Sequence, residues 1–245
     1  MTLLTGCLAT ALAAIHLLVG RLRFLDSVPR SIWLSGAGGV AVAYVFLHLL
    51  PDLVAHQETL AAGLGLGPDV AEVTIFGMAL AGVTAFYGLE RLARGSWQPL
   101  ATPVDDAGNV RVFWIHIGAF ALYNALIGYL LVHPEAPGLD SALLFFAAMA
   151  MHFVTNDFGM RDHHRLRYDA VGRWVLAGAV LAGWLLGQLT DLPDLAIALL
   201  FSFLAGGVML NVLKEELPED RQSRFLPFLA GALGYSALLV AFNPV

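Results

Sequence analysis

The chain has 245 residues, 58% hydrophobic and 13% charged, with a mean hydropathy of +0.74 and a formal net charge of −6. Soluble domains carry about 25% charged residues, so an ordinary water-soluble fold is excluded and a bilayer protein is expected. The absence of any basic run argues against nucleic acid as a partner, and the single cysteine, Cys7, excludes an internal disulfide and a cysteine-based metal cage.

A helix needs about 20 apolar residues to cross the hydrocarbon, and eight segments meet that requirement. The first, 3–20, has no positive residue ahead of it, while Arg21 and Arg23 follow it. That order predicts a retained span with its N-terminus outside rather than a cleaved leader. The second, 31–50, closes on Leu50-Pro51-Asp52, and the third and fourth run 70–90 and 111–132. The fifth, 139–160, contains MHFVTNDFG (151–159), where polar residues interrupt an apolar run. The sixth, seventh and eighth run 172–189, 195–213 and 225–243. The alternating segments of a transmembrane β-barrel are absent. The expected fold is therefore a single polytopic domain over 1–245, an all-α integral membrane bundle of eight transmembrane helices.

The basic residues sort by side. Arg21, Arg23 and Arg30 lie between spans one and two; Arg91, Arg94 and Arg111 flank the link between three and four. Arg161, Arg165, Arg167 and Arg173 lie between five and six, and Lys214, Arg221 and Arg224 between seven and eight. All thirteen Lys and Arg thus fall on one side, which the positive-inside rule makes cytoplasmic, with both termini outside. Trp33, Trp114 and Trp174 cluster near that side, as interfacial anchors do. Spans two and seven share a Gly-Gly-Val opening and a Leu-Pro-acid close, GGVAVAYVFLHLLPDL (38–53) and GGVMLNVLKEELPED (206–220). Crossing in opposite directions, they have the form of an inverted repeat, a common plan in transporters; recurrence of small residues and Pro at helix ends would give the same pattern.

These features resemble the ZIP (Zrt-/Irt-like protein) family of divalent-metal transporters. Span two, with Gly38/Gly39 and the His48-Leu49-Leu50-Pro51-Asp52 end, is similar to that family's second helix; span three ends FYGLERL in its style, and span seven carries its Leu-Pro-Glu close. The resemblance implies a 3+2+3 inverted-repeat bundle and a homodimer. It also places the metal ligands on spans four and five, in patterns like H-N-x-x-[DE]-G and H-E-x-P-E-G. Matched on its NALIG stretch, span four has Asn124 at the family's carboxylate, with Phe120 and Ala121 at its His and Asn. Span five keeps the first ligand as His152, then has Phe153, Thr155, Asn156 and Asp157 where the family has Glu or Gln, Pro, Glu and Gly. Span six offers only Gln188 near its outer end. The implied site is noncanonical and poor in carboxylates: His152, Asn156, Asp157 and Asn124.

Helical spacing puts His152 and Asn156 on one face and turns Asp157 aside by about 100°. An imidazole and an amide oxygen suit a borderline cation such as zinc, with weak affinity unless Asp157 swings in, because the charge is poorly compensated in low dielectric. The alternative for His152 is a buried imidazole hydrogen-bonded across the bundle, for instance to Asn124; the two amides alone can serve as interhelical glue. His116, with Asp162, His163 and His164, forms either an inner holding site or an incidental group in a solvated loop. His48 and Asp52 either receive an entering cation or mark a helix-ending Leu-Pro-Asp turn. His16, His56 and His133 have no motif partners.

The leading expectation is an inner (plasma) membrane transporter of a divalent metal ion, zinc or similar. The metal is cargo rather than a tightly bound cofactor, on a path between spans two, four, five and seven, with no enzymatic step. The rival is a transport-inactive ZIP-like sensor or accessory subunit of a membrane complex. A third reading is an intramembrane zinc hydrolase built on His116, Asp162, His163 and His164, where a bound metal would activate water.

Overall fold

The computed structural model describes residues 2–21, 32–95, 106–133, 138–216 and 224–242, which hold helices and turns but no strand. Helix α1 is Thr2–Leu18, followed by a 3₁₀ turn Val19–Arg21. Then come α2 (Ile32–Tyr44), α3 (Leu50–Leu64), α4 (Pro68–Gly95), α5 (Asp106–Leu130), α6 (Leu139–Arg167), α7 (Arg173–Leu189), α8 (Asp194–Glu216) and α9 (Phe225–Phe242). Among the described residues, seven stretches are long and apolar enough to cross a membrane: Thr2–Arg21, Ile32–Leu64, Pro68–Leu89, Phe113–Leu130, Leu139–Arg161, His164–Leu189 and Asp194–Lys214. Phe225–Ala241 is a shorter apolar helix. These eight coincide in order with the eight expected segments, and the chain is a multi-pass helical membrane protein. Arg23, Arg30, Arg221, the Leu-Pro-Glu close at 217–219 and the side chains of Arg94, Asp162 and His163 lie outside the described residues.

Two boundaries differ from expectation. The second span does not stop at Leu-Pro-Asp; it continues through Pro51 to Leu64, where Gly65 ends it in the left-handed conformation at φ 64°. Proline lacks an N–H and its ring crowds the carbonyl four residues back. The helix absorbs this with a π-turn over Val45–Leu49, in which the Leu50 N–H donates to Val45 O, five residues back. His48 and Asp52 therefore sit one turn apart within a continuous 33-residue helix rather than at a helix end. At 1.5 Å per residue that helix is about 50 Å long and exceeds the roughly 30 Å hydrocarbon core.

The link between spans five and six is also helical rather than a loop. α6 runs on to Arg167 with a kink at His164 (φ −134°, ψ 38°), and a π-turn over Tyr168–Gly172 leads into α7. Arg161 Nε donates to Asp169 Oδ1 at 2.9 Å across this bend, which ties its two arms together.

In lipid, helices gain little from hiding apolar surface from one another, so they associate by close packing of small residues. The bundle has three such crossings. A Cβ at Gly39 or Gly231 would overlap the backbone of Phe228 or Gly36 across α2/α9. A Cβ at Gly82 or Gly206 would overlap Phe203 or Ala79 across α4/α8, and one at Gly128 or Gly183 would overlap Val180 or Ala125 across α5/α7. Both Gly-Gly-Val motifs lie at these crossings, with Gly39 of α2 and Gly206 of α8 set against the partner's backbone. Leu122, Val73 and Leu80 point outward, and Trp33, Trp114 and Trp174 are each half-exposed or more. Inside, α6 is enclosed by its neighbours. Over 148–160 only Met151, Val154 and Phe158, a single helical stripe, are not fully buried.

Candidate functional site

The sequence's MHFVTNDFG stretch occupies that enclosed part of α6, so its polar side chains must be satisfied by other helices. Asp157 is the one buried acid among the described residues. Its Oδ2 lies 2.6 Å from Nδ1 of His16 on α1, with both side chains fully shielded. On the other edge of the ring the Asn124 amide of α5 donates to Nε2 at 3.0 Å. A donor at Nε2 leaves the ring proton on Nδ1, where it is given to the carboxylate as a short hydrogen bond. The Phe153 ring covers the imidazole at a centroid distance of 4.5 Å. One histidine therefore joins spans one, four and five.

Around this relay lie further buried polar groups: Asn124 Oδ1, Asn156 Nδ2 and both ring nitrogens of His152 have no hydrogen-bond partner, and the Tyr168 hydroxyl lies beside the Asp157 carboxylate. A buried, unsatisfied polar group costs about 1–3 kcal/mol, and native proteins keep such groups few. A concentration of them along one helix marks a region where stability is not the only requirement.

The four residues expected to form the centre thus divide into two pairs. His152 and Asn156 share a face, as their spacing requires. His152 packs edge-on against Tyr123 at 5.5 Å, while Asn156 opens onto a cleft described below. Asp157 is turned aside to α1, and Asn124 is bonded to His16 rather than to His152.

Two clefts enter the bundle along one seam. One, at the end of the seam that holds His133, is lined by Tyr44, His48 and Asp52 of the second span, His133 beyond α5, Ser141 and Phe145 of α6, and Phe201 of α8. His48 Nε2 stands 3.5 Å from Asp52 Oδ2. His133 Nε2 donates to Gly187 O at 3.0 Å, and its ring stacks on Tyr129. The other cleft, at the opposite end of the seam, is lined by Phe86, by His116 and Phe120 of α5, Asn156 and Met160 of α6, and Asn211 and Lys214 of α8. His164, at the kink, places its ring 5.9 Å from that of His116, so these two of the expected inner group do meet.

The gap between the clefts is the same on each helix of the seam. It runs from Phe120 to Leu130 on α5, from Asn156 to Phe145 on α6 and from Asn211 to Phe201 on α8. Ten or eleven residues are about 15 Å of helix. His152 and Tyr123, both buried, lie between the two clefts.

Among the described residues, no three His, Cys, Asp or Glu side chains are grouped so as to hold a metal ion. No family model and no curated protein sequence matches the chain.

Reasoning from motifs passed over His16, because its partner is 141 residues away on another helix. A signal was nonetheless present: an ionisable residue inside an apolar span is a functional-site hypothesis in its own right.

Proposed function

We propose that the chain is a ZIP-like transporter that passes a divalent metal cation, zinc or similar, along the seam of α5, α6 and α8. The observation that carries this reading is the pair of clefts, largely apolar but each holding histidine and other polar side chains, which approach each other from opposite ends of one seam and stop about 15 Å apart around His152. This is the geometry of an occluded path. The cation meets His48 and Asp52 in the outer cleft, exchanges onto His152 between the clefts, and leaves past Asn156 and His116. Transport is ligand exchange, with no covalent step.

The reciprocal glycine crossings support the 3+2+3 inverted-repeat plan. Gly39 enters α9 between residues 228 and 232 as Gly206 enters α4 between 79 and 83. In that plan the outer triplets rock against α5 and α6, opening the clefts in turn. The arginine distribution argues for the inner (plasma) membrane with both termini outside, and the family resemblance for a homodimer.

Uptake of zinc, cadmium, manganese and iron(II) into proteoliposomes containing a metal-sensing dye tests this. Wild type should show saturable flux for at least one metal, and His152→Ala should lower it about tenfold or more. Flux no greater than in empty liposomes, from folded protein and for every metal, would overturn the proposal.

A second reading, a transport-inactive ZIP-like sensor or accessory subunit, is favoured by one observation: Asp157, the buried acid nearest the path, is held by His16. Under that reading Asp157→Asn leaves function in the assembly unchanged, whereas a dication carrier loses flux.

A further inference from the structure

We infer that His16 is a positioning residue that holds Asp157 out of the cation path, and that displacement of α1 delivers the carboxylate to the passing cation. The inference rests on the transport reading above and concerns its least satisfied requirement. A dication at His152 and Asn156 meets an imidazole and an amide, neither of which carries a negative charge. The nearest buried acid, Asp157, lies one residue beyond Asn156 and is turned toward α1 by the helical repeat.

Three observations define the hold. The Asp157–His16 contact is 2.6 Å and wholly shielded from solvent. His16 is fixed from both sides, by the Asn124 amide on Nε2 and by Phe153 against its face. Yet α1 takes only one carboxylate oxygen: His16 reaches Oδ2 alone, and the other polar group beside the carboxylate is the Tyr168 hydroxyl, which follows α6 in the chain. A carboxylate held by α1 through one oxygen can turn about its own Cα–Cβ bond when α1 withdraws, and a cation is a ligand that engages both oxygens. What keeps it in place is the position of α1. α1 packs on α6 and, through Trp184 Nε1 donating to Thr5 Oγ1 at 3.1 Å, on α7. It supplies no residue to either cleft, so it can control the acid without obstructing the path.

Cadmium binding to the purified full-length protein, followed by titration calorimetry in lipid nanodiscs, tests the inference. His16→Ala should bind cadmium about tenfold or more tighter than wild type. The gain should vanish in His16→Ala/Asp157→Asn. His16→Asn, whose amide N–H stands near the place of Nδ1, should restore wild-type affinity, a rescue that a merely structural role would not give. If His16→Ala aggregates, His16→Phe fills the same space without a donor and must show the same gain.

Unchanged affinity in a folded donor-less variant, or a gain that survives Asp157→Asn, would overturn the inference. The transport reading is scored separately by wild-type flux. Flux dependent on His152 with no gain from His16→Ala removes only the latch, whereas a gain that needs Asp157 in a protein without flux keeps the latch and removes the transporter.

Discussion

Replacing His16 with leucine is expected to destabilise the folded protein by about 3–5 kcal/mol, the range for breaking a buried pair and leaving its partner's charge uncompensated. The Asp157 carboxylate would lose its short hydrogen bond from His16 and keep only the Tyr168 hydroxyl beside it. His16→Leu/Asp157→Leu should cost far less than the sum of the single changes, because two apolar side chains can replace a desolvated pair with little loss. Ordinary side-chain hydrogen bonds between membrane helices give coupling energies of only about 0.6 kcal/mol on average. Reversible unfolding of wild type, both single variants and the double variant in mixed micelles measures the coupling directly. A value of several kcal/mol makes the pair a charged, desolvated contact; a value near 0.6 kcal/mol makes it one more packing hydrogen bond, without the strength to restrain a carboxylate. Asp157→Asn should fall between, since an amide oxygen still accepts from Nδ1 but carries no charge to leave unpaired.

The spans were legible in the sequence because a bilayer imposes a minimum apolar length and a charge asymmetry, both of which are properties of composition along the chain. The continuation of the second span through Pro51 was not, because proline is ordinarily read as a stop. What allows it here is a one-residue widening of the preceding turn, and nothing in Val45–Leu49 announces that local choice. The helical bend after α6 was missed for a related reason: Asp162, His163 and His164 have the polarity of a loop, yet the bend is closed by an Arg161–Asp169 pair eight residues apart. At the site, the face shared by His152 and Asn156 and the turning aside of Asp157 followed from helical geometry alone. Which helix would receive Asp157 did not, because that depends on the order of packing around α6. The placement of α1 against α6 is a long-range fact with no local signature.

Adding one methyl group at Gly82 is expected to cost about 3 kcal/mol, at the upper end for overpacking, whereas the same change at Gly77 on the same helix should be neutral or stabilise by up to about 1 kcal/mol through helix propensity. The contrast is set by what each new Cβ would meet: the backbone carbonyl of Phe203 at Gly82, and nothing within 4 Å at Gly77. A carbonyl in a helix cannot rotate away as a side chain can, so the two helices must separate and lose contacts along their length. Matched pairs exist on α9, with Gly231 against Gly234, and on α7, with Gly183 against Gly178. Gly→Ala at all six positions, compared by thermal unfolding in one detergent, should divide into three costly and three harmless changes. The inverted-repeat plan adds a sharper demand. Gly39 and Gly206 occupy the same relation to α9 and α4, and Gly231 and Gly82 the same relation to α2 and α8, so members of each pair should cost alike. Unequal costs would mean that the two crossings carry different loads and that their likeness is only the general geometry of small residues in lipid. Equal costs are the result expected if α2/α9 and α4/α8 are equivalent joints that tie the first triplet to its inverted partner.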